Sequence, residues 1–167
     1  MALITRSEII SKRAISKSTK EAVINQFIDD AELLDLLPIL GEQFYFSIVS
    51  DPGSFSDLLN EKKYTYNNVE ITSPGLKRVL IDLFYARYIL HGTQTDTPFG
   101  FVEKTYQDAK PVERINRKEI YKLSQQTAMQ YWSQVEKYLQ RHSDTYPLWN
   151  VGCGVRKRTF RLNKITR

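Results

Sequence analysis

Apolar residues recur along this chain at helical spacing, and the longest such stripe runs near its end. From Asn116 to His142, one face collects Ile120, Leu123, Thr127, Ala128, Tyr131, Val135, Tyr138 and Leu139, with Met129 and Trp132 as a second apolar edge. That period predicts the longest helix, stopped by Tyr146-Pro147-Leu148-Trp149. The cleanest stripe is Leu76, Val79, Leu80, Leu83, Ala86 and Leu90, widened by Phe84 and Tyr88. Ser73 before Pro74 reads as an N-cap with proline in the first turn, and Gly92 as the stop. The matching stripes predict that these two helices pack on each other. Between Thr19 and Leu36, Val23, Ile24, Phe27, Ile28, Ala31 and Leu34 form a broad stripe interrupted by Pro38. A further helix is expected from near Leu37 to about Ser50, with Gly41 inside it weakening it by about 1 kcal/mol relative to Ala. Ser7 to Ile15 predicts a short helix capped by Ser7, and Phe55 to Leu59 one or two helical turns.

Three segments lack this period. Glu61 to Thr72 alternates loosely through Tyr64, Tyr66, Val69 and Ile71 and reads as a loop or a weak strand. Thr93 to Ile115 carries Pro98, Gly100 and Pro111 together with Phe99, Phe101, Val102 and Tyr106. A loop of that length is usually functional or packed on a partner, so an intersubunit arm is expected there, with Phe99, Phe101 and Tyr106 as its contacts. The last segment alternates as Val155, Arg156, Lys157, Arg158, Thr159, Phe160, Arg161, Leu162, which is weakly strand-like. The fold class is therefore mainly α: a helix bundle with extended loops and a basic C-terminal arm of strand-like pattern. Residues 1–150 are expected to form the helical domain and 151–167 the arm.

Charge sharpens that division. The 167 residues carry a formal +5, but Val151 to Arg167 contributes six basic residues and no acid, leaving a net −1 for residues 1–150. The first 20 residues hold five basic residues against Glu8, so both ends are basic around an acidic middle. Such a chain suits contact with a charged partner, or with itself end to body. The arm has three readings: a nucleic-acid arm working through phosphates, a solvated tail, or a strand donated to a partner. Phe160, Leu162 and Ile165 oppose the purely solvated reading.

The catalytic inventory is poor. One cysteine, Cys153, excludes an intramolecular disulfide and a cysteine-cluster metal site. His91 and His142 both fall at predicted helix ends, where imidazole suits the dipole and can cap carbonyls. Phosphate-loop, dinucleotide and zinc-protease motifs are missing from the sequence. No enzymatic activity, cofactor or metal is expected. Nor does the sequence contain an apolar run of membrane-spanning length, and MALITRSEII lacks the apolar core of a signal peptide, so neither a membrane partner nor a leader is expected.

Two further features bear on partners. Arg87 lies on or beside the apolar stripe of the best helix, where snorkelling is the ordinary reading and pairing with an acid of another element or subunit the alternative. The acids Asp29, Asp30, Glu32 and Asp35 read as a solvated helix face. Among the aromatics, Trp132 is expected in the core. Trp149, with Tyr146 and Leu148, stands between a helix stop and the charged arm and is the candidate for docking on a neighbour.

Four blocks carry a family resemblance: FIDDAELLDLLPILGEQFYFSIVSD from Phe27 to Asp51, SPGLKRVLIDLFYARYILHG from Ser73 to Gly92, TPFGFVEK from Thr97 to Lys104, and AMQYWSQVEKYLQRHSDTYPLWN from Ala128 to Asn150. Their order and spacing, over about residues 20 to 150, resemble the head–tail connector (adaptor) proteins of tailed bacteriophages, including those of crAss-like phages. The resemblance implies a mainly helical protomer in a homo-oligomeric ring, commonly a dodecamer. The ring would sit under the portal protein, offer a surface to further ring or tail proteins, and extend a channel through which DNA passes without specific binding. It implies synthesis in a bacterial host cytoplasm and a place at the head–tail junction of the virion. The arm beyond Asn150 matches no family pattern. Physics alone assigns Arg156, Arg158, Phe160 and Arg161, with Tyr146, Leu148 and Trp149, to contact with the portal or a neighbouring subunit. The alternative from another class is a small nucleic-acid-binding protein using its basic ends.

Overall fold

The computed structural model describes residues 2–91, 94–97, 100–103 and 114–152. Helices dominate, as the apolar period requires. In chain order they are α1 (Arg6–Lys12), α2 (Glu21–Asp30), a π-helical turn (Ala31–Leu36), α3 (Leu37–Leu40), α4 (Glu42–Ser50), α5 (Ser56–Leu59), α6 (Leu76–His91), α7 (Arg114–Arg141) and α8 (Pro147–Gly152). Two antiparallel hairpins interrupt them: β1 (Lys62–Tyr66) with β2 (Val69–Ser73), and β3 (Gln94–Thr97) with β4 (Gly100–Glu103). None of the described helices is long and apolar enough to cross a membrane.

The helices α6 and α7 make the most extensive contact in the chain, and α2 with the π turn lies across α6. The core runs through Ile24, Ile28, Phe44, Ile48, Val79, Leu80, Phe84, Val135 and Leu139, all fully buried. Each such side chain contributes about 1.5–3 kcal/mol by leaving water. Expectation and structure agree on the Leu76–Leu90 stripe, on Trp132 in the core and on the short helix at Ser56–Leu59.

The differences have identifiable causes. The first helix is capped by Thr5, not Ser7: Thr5 and Glu8 exchange side-chain and backbone bonds in a full capping box. The Ser73-Pro74 start is displaced to Leu76, because Ser73 completes β2 and is buried. The chain then turns through Gly75 at φ 76°, where a Cβ would collide with the Asn60 backbone. Gly41 at φ 82° divides what periodicity joins from Leu37 to Ser50 into α3 and α4. Asn67 and Asn68 both take positive φ and close the β1–β2 hairpin, so the Glu61–Thr72 segment is a pair of strands. Within Thr93–Ile115, the described backbone forms the β3–β4 hairpin, and α7 begins at Arg114. At the other end, α8 runs through the expected boundary at Asn150.

The π turn has the largest effect on the surface. It holds an extra residue per turn, which shifts the register of everything after Ala31. Glu32 and Leu36 rotate inward, while Leu33 and Leu34 come out 49% and 60% exposed. A 3.6-residue period places Leu34 on the buried stripe; the structure corrects that. A similar inversion marks the first half of α7. Arg117 and Ser124 are buried there, whereas Ile115 and Leu123 face outward. Leu123, expected on the core face, is 63% exposed.

Candidate interaction surface

The register shifts create an open groove of about 790 Å³ between the π turn, α3, α6 and α7. Leu34, Asp35 and Ile39 form one wall and Leu83 the α6 side. The opposite wall, on α7, carries Lys122, Gln126 and Met129. Met129 is 42% exposed. Exposed aliphatics on both walls, rimmed by glutamines and charges, have the composition of a contact surface.

An ion pair backs the groove. The Arg87 guanidinium reaches from α6 to Asp35 and donates two parallel bonds, Nε to Oδ2 at 2.7 Å and an Nη2 bond to Oδ1 at 2.9 Å. That fork is the strong geometry for a carboxylate. The Asp35 hydrogen bond, against the opposing effect of burial, raises the Arg87 pKa. Arg87 therefore pairs within its own chain and does not snorkel, and Asp35 belongs to this pair, not to a solvated face.

Two buried carboxylates tie the N-terminal segment to the bundle. Glu32, turned inward by the π turn, accepts from the Leu3 backbone N–H at 2.7 Å and the Tyr45 hydroxyl at 3.1 Å. Burial pushes its carboxyl above the usual range, and burial beside Glu32 raises Tyr45 as well. Asp82, fully buried on α6, accepts from Arg13 Nε at 2.6 Å, with Arg78 at 3.8 Å. This pairing raises the Arg13 pKa. A charge within the apolar run VLIDLF was the sequence signal for such a partner; sequence reasoning missed it, and also missed that Glu32 is buried.

A third surface lies at the β1–β2 hairpin. Arg141, from the end of α7, lies 4.0 Å over the Tyr66 ring and donates to the Tyr64 hydroxyl at 2.7 Å. Lys62 and Lys63 are each paired to an acid, Asp57 and Glu70. At the same end of α7 the His142 Nδ1–H donates to the Tyr138 carbonyl at 2.9 Å, the capping role expected of it. His91 stacks on Phe27.

The aromatics expected to dock on a neighbour are placed otherwise. Trp149 is 6% and Tyr146 4% exposed. Trp149 packs on Trp132 and Phe44, and Tyr146 stacks on Phe55, so α8 closes the chain's own core. This corrects their assignment as exposed partner contacts. Only Leu148 of that trio stays open, at 39%. The expected contacts Phe99, Tyr106, Arg156, Arg158, Phe160 and Arg161 lie outside the described residues, as does the side chain of Phe101. Among the described residues no cluster of His, Cys, Asp and Glu could hold a metal ion.

Fold and surface together define a small helical-bundle protein with two β-hairpins and an open aliphatic groove. The chain belongs to a family of unknown function (DUF6712), whose model matches residues 36–159. No curated protein and no solved structure matches the chain.

Proposed function

We propose that this chain is a structural head–tail connector of a tailed bacteriophage, a protomer of a ring between portal and tail. One observation carries the reading: large aliphatic side chains of the central helices are turned outward while polar ones are turned in. Leu33, Leu34, Leu123 and Met129 are all more than 40% exposed, while Ser124 and Arg117 are buried beside them. That inversion suits a subunit whose helices are completed by neighbours. The four sequence blocks that resemble connectors support it, three of them within the matched family span. In this reading the protein has no enzymatic activity. The Thr93–Ile115 segment with Phe99, Phe101 and Tyr106 is the arm to an adjacent subunit. Leu148 and the basic residues Arg156, Arg158 and Arg161, with Phe160, contact the portal or a neighbouring subunit. DNA passes through the channel without being gripped, since tight phosphate contacts would hinder its passage.

The test is purification of the full chain, alone and with the portal protein of its phage, followed by light scattering and negative-stain imaging. Closed rings, alone or on portal, are the expected result. A monomer under both conditions overturns the reading. Salt-sensitive duplex binding by such a monomer establishes the nucleic-acid alternative instead.

A further inference from the structure

Residues 21–61 contain nine carboxylates and not one Lys, Arg or His. Within the chain, Glu21, Asp35 and Asp57 are paired to Arg6, Arg87 and Lys62, and Glu32 is buried. Asp29, Asp30, Glu42, Asp51 and Glu61 have no cation within ion-pair distance among the described residues, although Arg87 stands near enough to Asp30 to act on it through space. Asp29 and Asp30 lie one turn before Leu33 and Leu34 on the same continuous helical path, so two carboxylates stand next to the Leu34 end of the groove, outside a lining whose own charges are Lys122 and the Arg87-paired Asp35. The segment 153–167 is its opposite: six basic residues, no acid, and apolar Val155, Phe160, Leu162 and Ile165. It follows α8, which is fixed to α4. Fifteen residues reach up to ~50 Å when extended. That is more than the ~15 Å radius of gyration of a folded body this size, enough to reach an adjacent copy.

We propose that the groove lined by Leu34, Ile39 and Met129 receives the C-terminal segment 153–167 of a neighbouring copy, its apolar residues on the aliphatic walls and its arginines on the Asp29–Asp30 side. The inference rests on the ring reading and gives it a specific joint. A groove on one copy and an arm from the next make a heterologous contact, which closes on itself when the rotation per subunit closes. Apolar contact supplies affinity and charge supplies register and selectivity.

A photo-crosslinking residue tests this in the full-length chain. Met129→benzoylphenylalanine and, separately, Leu34→benzoylphenylalanine replace exposed side chains, so the fold is retained. Isotopically light and heavy protein are mixed in equal amounts, assembled, irradiated and digested. The expected products are links from position 129 or 34 to peptides of residues 153–167, including light–heavy pairs. Raised salt weakens them, and the triple change Arg156→Glu, Arg158→Glu, Arg161→Glu abolishes them without changing the melting temperature. Links to other peptides only, or same-isotope links only, overturn the proposal. Imaging the same samples separates the two readings. Rings without light–heavy links sink this joint and leave the ring, whereas such links in open chains keep the joint and sink the closed ring.

Discussion

Two sticky regions of this protein both draw on α7 and meet opposite fates. The aromatic cluster of Phe44, Phe55, Trp132, Tyr146 and Trp149 is closed by α8, every ring within contact of another. The groove between the π turn and α7 instead keeps Leu34 and Met129 in water. Aromatic content therefore does not mark the surface left for a partner here. The open surface is aliphatic and arises from backbone register: a π turn on one wall, and on the other a helix whose inward face carries Ser124 and Arg117.

The strongest way to break this comparison is at a side chain that belongs to both the core and the groove. Leu83 is 3% exposed on α6, in the core and at the floor of the groove. Leu83→Asp buries a carboxylate one turn from Arg87, which Asp35 already holds, and should destabilise by roughly 4 kcal/mol or more. A soluble variant with an unchanged melting curve would show that α6 and α7 do not pack as described.

Next in size is the test of closure by α8. Trp149→Ala removes a ring packed between Trp132 and Phe44 and should lower stability by about 3–5 kcal/mol in chemical denaturation. A change confined to assembly, with stability intact, would return Trp149 to the role of an exposed docking residue.

These contrasts also show what was legible in the sequence. The helices α6 and α7 were, because their stripes are long and local. Thr5 with Glu8 was readable as a capping box, and Asn67-Asn68 as a hairpin turn, but Ser7 and the loose alternation of Glu61–Thr72 led elsewhere. The π turn was not legible: AELLDL has ordinary helical propensity, and nothing local specifies an extra residue in one turn. The partners of Arg87 and Arg13 are Asp35 and Asp82, 52 and 69 residues away, so only the tertiary fold assigns them. The groove follows from these non-local facts, which is why periodicity placed Leu34 and Leu123 inside.

A smaller effect sharpens the role of the π turn. Burial holds the folded Glu32 carboxyl above its ordinary value. The folded chain thus keeps that proton to higher pH than the unfolded chain. Its contribution to stability is full below the unfolded pKa and is lost as pH rises through the raised folded one. Glu8 works in the opposite sense. Burial raises it, but the Lys77 and Thr5 contacts outweigh this and leave it lowered, so its contribution is lost as pH falls through the folded value. Glu32→Gln keeps an acceptor for Leu3 and removes only the first dependence. Denaturation midpoints measured across the weakly acidic range should fall less with rising pH in this variant than in the parent. Identical pH profiles would mean that Glu32 is not buried by the π turn.

The smallest expected effect on stability is the one that separates the two regions most sharply. Leu34→Ser and Met129→Ser remove side chains that are already 60% and 42% exposed. Each should change the unfolding free energy by no more than about 0.5 kcal/mol, the usual range for surface positions. If the groove receives a neighbour's segment, the same two changes should reduce oligomer formation, read by light scattering at fixed protein concentration, because their apolar area is buried only on assembly. Ile10→Ser is the control: it is comparably exposed but belongs to α1, outside the groove lining. Loss of oligomer with Leu34→Ser and Met129→Ser but not with Ile10→Ser locates the joint in the groove. Equal loss with all three would mean that general surface hydrophobicity drives association and that the groove has no special part in it.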